Sequence, residues 1–200
     1  MQQSRKNEVS VLRYGHRPGR DDRMTTHVGL TARALGADQV IFPDNATQSV
    51  ETVTDIVTRF GGPFDVKRTD ALNRVIREWS GTVVHLTMYG ERVQDVTERI
   101  RDTCLHKESL LIIIGGEKVP SDVYEWADWN VAVTNQPHSE VAGLAVFLDR
   151  LFRGQELDEE WTDAEHVVIP QASGKRVVDT ELTETESDEV NTESQSEKRF

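Results

Sequence analysis

The chain has 200 residues, of which 36% are hydrophobic and 29% charged, with a mean hydropathy of -0.53; this suits one folded domain with a tail. Its most hydrophobic run, residues 110–114, is far shorter than the roughly 20 residues of a bilayer span, and the first ten residues contain no apolar signal segment. The one cysteine excludes an intrachain disulfide, and the six histidines form no cluster of zinc spacing. We therefore expect a cytoplasmic protein that needs no metal.

The net charge of -12 is concentrated near the C-terminus. Residues 155–200 contain 14 acidic and 4 basic side chains, whereas residues 1–154 contain 21 and 19. The C-terminal segment is rich in Thr, Ser and Glu and poor in large apolar residues, a composition typical of disorder. We predict a domain over 1–154, a C-terminal arm over 155–177 with one short strand at 167–169, and a disordered tail over 178–200.

Only 6 of the 23 basic residues are lysine, which together with the many acidic residues indicates adaptation to high salt.

Short apolar segments alternate with segments of helical periodicity up to residue 152. We predict strands at 9–14, 39–42, 64–67, 82–86, 110–114 and 129–133, and helices at 26–35, 47–60, 71–79, 93–101, 121–127 and 139–152. This alternation is typical of an α/β fold with a mostly parallel sheet and helices on both faces. In the last helix, apolar residues recur every three or four positions and form a stripe that packs on another surface.

The loop after the first strand contains three arginines within seven residues. They are Arg17, Arg20 and Arg23, in the segment GHRPGRDDR. Arginine can bind a phosphate through two parallel hydrogen bonds, and the helix predicted after this loop would add backbone N–H donors at its N-terminus. We predict a polyanion site. The alternative is a solvated turn in which Asp21 and Asp22 neutralise two of the arginines.

Two further loops after strands contain unusual residues. Residues 114–120 (IGGEKVP) place two glycines where a ligand could approach the backbone closely, although an ordinary turn ending at Pro120 explains them nearly as well. Residues 133–140 (VTNQPHSE) contain more hydrogen-bonding side chains than a plain connection needs, although Ser139 can simply cap the last helix. A smaller feature, residues 85–90 (HLTMYG), follows its own strand; there we expect Met88 and Tyr89 to be core or pocket wall.

Several common catalytic and nucleotide-binding motifs are absent from the sequence. It contains no Gly-x-Gly-x-x-Gly, no Walker segment and no Gly-x-Ser-x-Gly. The residues by themselves therefore predict a nucleoside-sized pocket, built from glycine and polar loops, with an arginine cluster beside it.

Four segments together resemble the archaeal tRNA cytidine-56 2'-O-methyltransferases of the SPOUT superfamily. They are LRYGHRPGRDDRMTTHVGLTARALGAD, RFGGPF, VHLTMYG and IIGGEKVPSDVYEWADWNVAVTNQPHSEVAGLAVFLDR, which occur in order over residues 9–153. The resemblance implies a SPOUT-type α/β fold with a C-terminal deep trefoil knot, an exception to the usual unknotted connectivity. It also implies a homodimer, S-adenosyl-L-methionine as methyl donor, and tRNA as a substrate that is methylated on a ribose of its TΨC loop.

Carried onto this chain, the resemblance places the cofactor in the loops described above. The implied cofactor-binding residues are Leu86, Gly115, Gly116, Glu117, Lys118, Val119, Val133, Thr134, Asn135, Gln136, Pro137, His138, Ser139 and Glu140. The arginine loop corresponds to the part that meets the substrate: Arg17, Arg20 and Arg23 are the implied substrate-binding residues, and Arg20 is the first choice for the catalytic residue. This loop departs from the Asn-x-x-x-x-Arg form of other ribose methyltransferases in the superfamily.

In such a reaction the 2'-oxygen attacks an activated methyl group, so the protein supplies orientation and an acceptor for the hydroxyl proton. We expect Arg20 to hold a phosphate and polarise the hydroxyl; His138 and Glu140 are candidate acceptors. Two other functions stay open. One is a non-catalytic RNA-binding module; the other is a phosphohydrolase, since segment 12–17 (LRYGHR) loosely resembles the Arg-His-Gly of histidine phosphatases, although Tyr14 stands in the place of the nucleophile.

Overall fold

A computed structural model describes residues 8–104, 109–116, 118–161 and 163–180. The described residues divide into two compact units. The first contains those up to residue 54 and those from 63 to 159, and the second contains residues 55–62 and those from 160 onward.

The first unit consists of alternating strands and helices. Its strands are β1 (Val9–Tyr14), β2 (Gln39–Pro43), β3 (Asp65–Thr69), β4 (Gly81–Arg92), β5 (Ser109–Gly115) and β6 (Trp129–Ala132). The helices are α1 (Asp22–Ala34), α2 (Thr47–Phe60, whose last turns belong to the second unit), α3 (Leu72–Arg77), α4 (Val93–Cys104), α5 (Ser121–Trp126) and α6 (Glu140–Phe152), followed by a 3-10 turn at Gln155–Asp158. Among the described residues no helix combines the length and apolarity needed to span a membrane.

The six strands form one sheet in the order β3-β2-β1-β5-β4-β6, and every neighbouring pair is parallel. The predicted α/β class and mostly parallel sheet are therefore confirmed. From β1 the chain moves outward to β2 and β3, then crosses to β4 and returns to place β5 beside β1. In such sheets the carboxyl ends of the two strands at the reversal border a crevice that binds ligands.

Helices cover both faces of the sheet, as predicted. On one face a buried cluster joins the sheet to α3 and α5; its members are Leu12, Ile41, Ile76, Val83, Leu111, Ile113 and Val123. Because side chains alternate along a strand, Ile112 and Ile114 point to the opposite face, where α6 contacts α1, α4 and β5. The apolar stripe of α6 is buried there, including Leu144, Phe147 and Leu148.

The packing of α1 depends on a glycine. A Cβ on Gly29 would lie 2.8 Å from Phe42 Cζ and 2.9 Å from Val53 Cγ2. Only a residue without a side chain lets α1 approach β2 and α2 this closely.

The largest differences from the predicted bounds lie at the start of α1 and the end of β4. Helix α1 begins at Asp22 instead of residue 26, because acidic side chains are favourable near a helix N-terminus and Asp21 and Asp22 occupy it, a signal that apolar periodicity does not contain. Strand β4 was predicted to end at Leu86 but continues to Arg92. Its register against β6 shifts between Leu86 and Glu91, after which pairing with β6 resumes.

The second unit contains an antiparallel hairpin of β7 (His166–Ile169) and β8 (Arg176–Asp179). The sequence predicted one strand at 167–169; the structure pairs that strand with a second. Strand β8 runs past residue 178, where the tail was predicted to start, and residues 181–200 lie outside the described part of the chain.

The central position of β5 predicts a large cost for truncating its side chains. Ile112 is fully buried, so Ile112→Ala should lower the free energy of unfolding by about 2–5 kcal/mol, as measured by urea denaturation. Val146→Ala, at a side chain that is 39% exposed on α6, should change it by less than about 0.5 kcal/mol. Equal effects of the two changes would contradict this placement of the core.

Candidate active site

The carboxyl ends of β1 and β5 bring two of the predicted loops together. Tyr14 is paired with Gly115 in the parallel register, and the backbone N–H of Gly116 donates to the carbonyl of Tyr14 at 2.7 Å. The arginine loop, which follows β1, therefore begins directly beside the diglycine loop, which follows β5.

Arg17 is held inside the arginine loop by Asp21. Its Nε donates to Asp21 Oδ2 at 2.8 Å and its Nη2 donates to Asp21 Oδ1 at 2.9 Å, while Nη2 also lies 3.4 Å from the carbonyl oxygen of Gly116. The side-chain hydrogen bonds from Arg17 lower the pKa of Asp21 to about 2. The alternative of a self-neutralised turn is thus correct for one arginine: Arg17 shapes the loop and joins it to the diglycine loop.

His16 and Asp22 complete the loop's internal structure. His16 is buried; its Nδ1 lies 2.9 Å from Thr25 Oγ1 and its Nε2 lies 3.1 Å from Asp22 Oδ1. Asp22 also accepts the backbone N–H of Gly19 at 2.9 Å. Because both ring nitrogens of His16 have protein partners, the geometry does not favour this histidine as the nucleophile of a phosphohydrolase.

Arg20 and Arg23 differ from Arg17 in their surroundings. Both are exposed, and among the described residues neither side chain has a hydrogen-bond or ion-pair partner. Asp21 and Asp22 are already engaged by Arg17, His16 and Gly19. The loop therefore presents two guanidinium groups to solvent at the carboxyl edge of the sheet, beside the junction of β1 and β5.

A cavity of about 860 Å³ opens at the carboxyl ends of β5 and β6 and along the middle of β4. Its lining residues are His85, Leu86, Thr87, Met88, Tyr89, Ile114, Gly115, Lys118, Val119, Ser121, Tyr124, Glu125, Val131, Val133, Pro137, His138, Glu140 and Gly143. Strands β4, β5 and β6 contribute aliphatic side chains to its lining, and polar groups come from β4, α5, α6 and the loops. Its volume is within the usual range of small-molecule sites.

Many of the residues predicted to bind a cofactor line this cavity. They are Leu86, Gly115, Lys118, Val119, Val133, Pro137, His138 and Glu140. Gly116, Thr134, Asn135, Gln136 and Ser139 belong to the same loops without lining it, and Glu117 lies outside the described residues.

Hydrogen bonds hold the loop between β6 and α6 against β4. Asn135 Nδ2 donates to the carbonyl of Met88 at 2.8 Å and lies 3.2 Å from that of Gly90. His138 Nδ1 lies 3.1 Å from the carbonyl of Gln136, so Nδ1 bears the proton of the neutral ring. Ser139 occupies the N-cap position of α6 without a side-chain cap hydrogen bond, contrary to the simple capping role.

A polar network at the cavity wall was not anticipated from the sequence. Asn130 Nδ2 donates to the carbonyl of Tyr124 at 2.8 Å, which leaves Asn130 Oδ1 to accept from His85 Nδ1 at 2.9 Å. The ring of His85 also meets that of Tyr124 edge to face, with centroids 4.5 Å apart. Burial lowers the pKa of His85, against the opposing effect of the Asn130 hydrogen bond.

Sequence reasoning identified Met88 and Tyr89 as possible pocket wall, and both line the cavity. It missed Ser121, Tyr124 and Glu125 on α5 and Gly143 on α6. The available signal was the start of α5 directly after the diglycine loop, which forces its first turns close to whatever that loop binds.

Comparison with known proteins identifies the relatives of this chain. The model of the family described as "tRNA ribose 2'-O-methyltransferase, aTrm56" matches residues 60–178. A protein of Haloquadratum walsbyi named tRNA (cytidine(56)-2'-O)-methyltransferase is 84% identical over 193 residues, which cover 96% of this chain and 100% of the relative. A protein of the same name from Thermococcus kodakarensis is 52% identical, covering 86% of this chain and 98% of the relative.

Solved structures resemble the fold. The SpoU methyltransferase AviRb from Streptomyces viridochromogenes, crystallised with the cofactor AdoMet, superposes with a TM-score of 0.51 at 15% identity over 74% of this chain. An RNA 2'-O ribose methyltransferase superposes with a TM-score of 0.51 at 16% identity over 76% of this chain. Our chain spans 58% of the length of each of these two proteins, and at such identity the likeness shows the fold alone.

The Arg17–Asp21 pair predicts a pH dependence of stability. Because the pKa of Asp21 falls from 3.8 to about 2 on folding, its carboxylate contributes stability that is present above pH 4 and is lost as the pH falls through 2. We expect Asp21→Asn to be less stable than the parent chain near neutral pH, with the difference shrinking between pH 4 and pH 2. Urea denaturation at a series of pH values measures it.

The matched control for this change is Asp95→Asn, which breaks the exposed pair between Asp95 and Arg92. Exposed ion pairs contribute about 0–1 kcal/mol, so we expect a small effect throughout. If the free energies of unfolding of Asp21→Asn and the parent chain differ by the same amount down to pH 2, the proposed role of Asp21 is wrong.

Proposed function

The chain belongs to the tRNA ribose 2'-O-methyltransferase family, and from this we propose that it transfers a methyl group from S-adenosyl-L-methionine to the 2'-oxygen of cytidine 56 in the TΨC loop of tRNA. One observation supports this function above all others. Arg20 and Arg23, which have no side-chain partner among the described residues, lie in the loop after β1, and the neighbouring strand β5 borders a cavity of nucleoside size. A polyanionic substrate and a small cofactor can therefore meet at one edge of the sheet.

The cavity fits S-adenosyl-L-methionine by size and by the chemistry of its walls. Leu86, Ile114 and Val133 provide apolar surface for an adenine ring, while loop backbone and polar side chains provide hydrogen bonds at the rim. Bound there, the cofactor would supply a methyl group activated by a positively charged sulfur. We propose that the loops 115–119 and 133–140, with Leu86, hold it.

The contribution of the protein is mainly orientation. Holding two reacting groups in line can supply about 7–11 kcal/mol of a barrier. We propose that Arg20 binds a phosphate of the RNA and polarises the 2'-hydroxyl, with Arg23 as a further substrate-binding residue, while Arg17, held by Asp21, shapes the loop that presents them. Arg20 suits this role because its guanidinium is exposed and lacks a partner among the described residues, whereas Arg17 is engaged by Asp21.

Of the two candidate proton acceptors, the geometry favours His138. Its Nδ1 donates to the carbonyl of Gln136, so Nε2 of the neutral ring keeps its lone pair, and among the described residues no group donates a hydrogen bond to it. Glu140 lies 3.6 Å from Arg13 and is thus already engaged in an ion pair. We propose that His138 Nε2 accepts the hydroxyl proton.

We also propose a C-terminal knot, a homodimer, a cytoplasmic location and adaptation to high salt, from family membership and from the following observations. A C-terminal trefoil knot is consistent with the return of the chain from the edge strand β6 to the centre of the sheet, where α6 packs against β5. A homodimer is supported by an apolar groove of about 400 Å³ between α1 and α6, lined by Leu30, Leu35 and Ala145 among others. Cytoplasmic location and adaptation to high salt agree with the acidic composition and the haloarchaeal relatives.

The decisive test of the activity is transfer of labelled methyl to archaeal tRNA transcripts at molar KCl. We expect label in the normal transcript and none in a transcript with 2'-deoxycytidine at position 56, because only the first has the attacking oxygen. Label in both transcripts would contradict the position. Absence of label in both, with cofactor binding intact, would favour the non-catalytic RNA-binding module.

Removal of the Arg20 side chain tests the arginine loop. Arg20→Ala should lower kcat/KM for tRNA by about 100-fold or more, since a charge-assisted contact made in the transition state is lost, while affinity for S-adenosyl-L-methionine measured by calorimetry stays nearly unchanged. Arg74→Ala, which removes an exposed arginine paired with Glu78 on α3, is the control. If Arg20→Ala turns over tRNA as fast as the control, Arg20 does not have this role. If Arg23→Ala loses more kcat/KM than Arg20→Ala, the role belongs to Arg23.

A further inference from the structure

Arg13 is a buried charged residue that no function described so far uses. It lies near the end of β1, its side chain is 1% exposed, and burial lowers its pKa. Removing a guanidinium from water is costly unless it gains strong partners. The groups around Arg13 show which partners its guanidinium has.

The guanidinium of Arg13 joins two segments that line the cavity. Its Nη1 donates to the carbonyl of Gly115 at 3.0 Å and lies 3.6 Å from Glu140 Oε2. Gly115 ends β5 and Glu140 begins α6, and these two residues both line the cavity. Arg13 therefore links the two cofactor loops through one planar group.

The diglycine loop is shaped around this guanidinium. A Cβ on Gly116 would lie 2.8 Å from Arg13 Cζ, 2.8 Å from Arg13 Nη2 and 2.3 Å from the carbonyl oxygen of Gly15. A side chain at position 116 is thus excluded by the backbone of Gly15 and also by Arg13 in its place. The second glycine, which the sequence offered as a place for close ligand approach, is required by neighbouring protein atoms.

The same junction reaches the arginine loop. The carbonyl oxygen of Gly116 lies 3.4 Å from Arg17 Nη2, and Arg17 is locked to Asp21. A continuous set of contacts therefore runs from Glu140 through Arg13 and the diglycine loop to the loop that presents Arg20.

Stability alone does not account for an arginine at this position. An apolar side chain of similar length would avoid the desolvation cost, and the carboxylate left without its partner would not be a buried charge, because the Glu140 side chain is 35% exposed and can be hydrated. Moreover, Arg13 Nε is buried and has no hydrogen-bond partner among the described residues, so part of that cost is not offset.

We propose that Arg13 is a positioning residue that sets the diglycine loop and the start of α6 in the geometry required for cofactor binding, and that aligns them with the arginine loop. This inference rests on the proposed methyltransferase function. It predicts that Arg13 determines cofactor affinity and turnover more than it determines folding.

The test compares Arg13→Met, Arg13→Lys and Arg13→Gln with the parent chain in full-length protein. For Arg13→Met we expect a melting temperature within a few degrees of the parent, affinity for S-adenosyl-L-methionine reduced by about 10-fold or more by calorimetry, and kcat reduced with little change in the KM for tRNA. Arg13→Lys should recover part of the affinity, because its ammonium still reaches one partner, and Arg13→Gln should recover less.

Arg101→Met is the matched control, since Arg101 is a second buried arginine on the same side of the sheet. Its Nε donates to the carbonyl of Leu151 at 2.6 Å at the far end of α6, and it does not line the cavity. We expect Arg101→Met to lose stability while cofactor affinity stays near that of the parent. If Arg13→Met and Arg101→Met lose the same amount of cofactor affinity, Arg13 has only a general structural role.

A double-mutant cycle with Glu140→Gln gives an independent measure. If Arg13 acts on the cofactor partly through Glu140, the loss of affinity for S-adenosyl-L-methionine in Arg13→Met/Glu140→Gln should be smaller than the sum of the losses in the two single variants. Fully additive losses, or parent-like affinity and kcat in Arg13→Met, would overturn the proposal.

Should Arg13→Met fail to fold, Arg13→Lys keeps a cation that reaches one partner, and we expect an intermediate loss of cofactor affinity; parent-like affinity in a folded Arg13→Lys would overturn the proposal. The proposed function can fail separately. A parent chain that binds S-adenosyl-L-methionine but does not methylate tRNA would refute the activity, while the calorimetric comparison would still decide the role of Arg13.

Discussion

The site depends on one constraint, the parallel pairing of β1 with β5. Arg13 and Gly115 are 102 positions apart in the sequence, yet the register places the ends of their strands side by side. The loop that presents arginines to solvent and the loop that borders the cavity are therefore held to the same backbone ladder. Because the hydrogen bonds of that ladder lie in the interior of the sheet, neither loop can move far without breaking the core beneath it.

Some charged side chains in this region are paired with each other and shape the loops, whereas others are exposed and can bind a ligand. Asp21 holds Arg17, Asp22 holds His16 and the backbone of Gly19, and Glu140 lies against Arg13. These pairs give the loops a defined shape. Arg20 and Arg23 have no partner among the described residues, so their charge is available to a polyanion. An arginine-rich loop therefore does not offer all its arginines to a ligand, and the neighbouring acids show which ones it retains.

Much of the fold was accessible from local patterns. The boundaries of β1 and α2 were predicted to the residue, and the three loops that drew notice do follow parallel strands and meet at one edge of the sheet. Two of the errors arose where a nonlocal contact overrides local preference. Strand β4 continues past Leu86 because β6 pairs with it again beyond a register shift, and β7 gains a partner strand. No periodicity within either segment contains that information.

The sequence by itself determined the α/β class, the arginine cluster and, through resemblance, the family to which the chain belongs. Only the tertiary structure decided the use of each residue: Arg17 is a structural arginine, Gly116 is a glycine because the Gly15 carbonyl and the Arg13 guanidinium occupy its side-chain space, and α5 contributes Tyr124 to the cavity wall. The physical reason is that residue type sets what a group can bind, whereas burial and the distance to partners set what it does bind. Both quantities depend on segments far away in the chain.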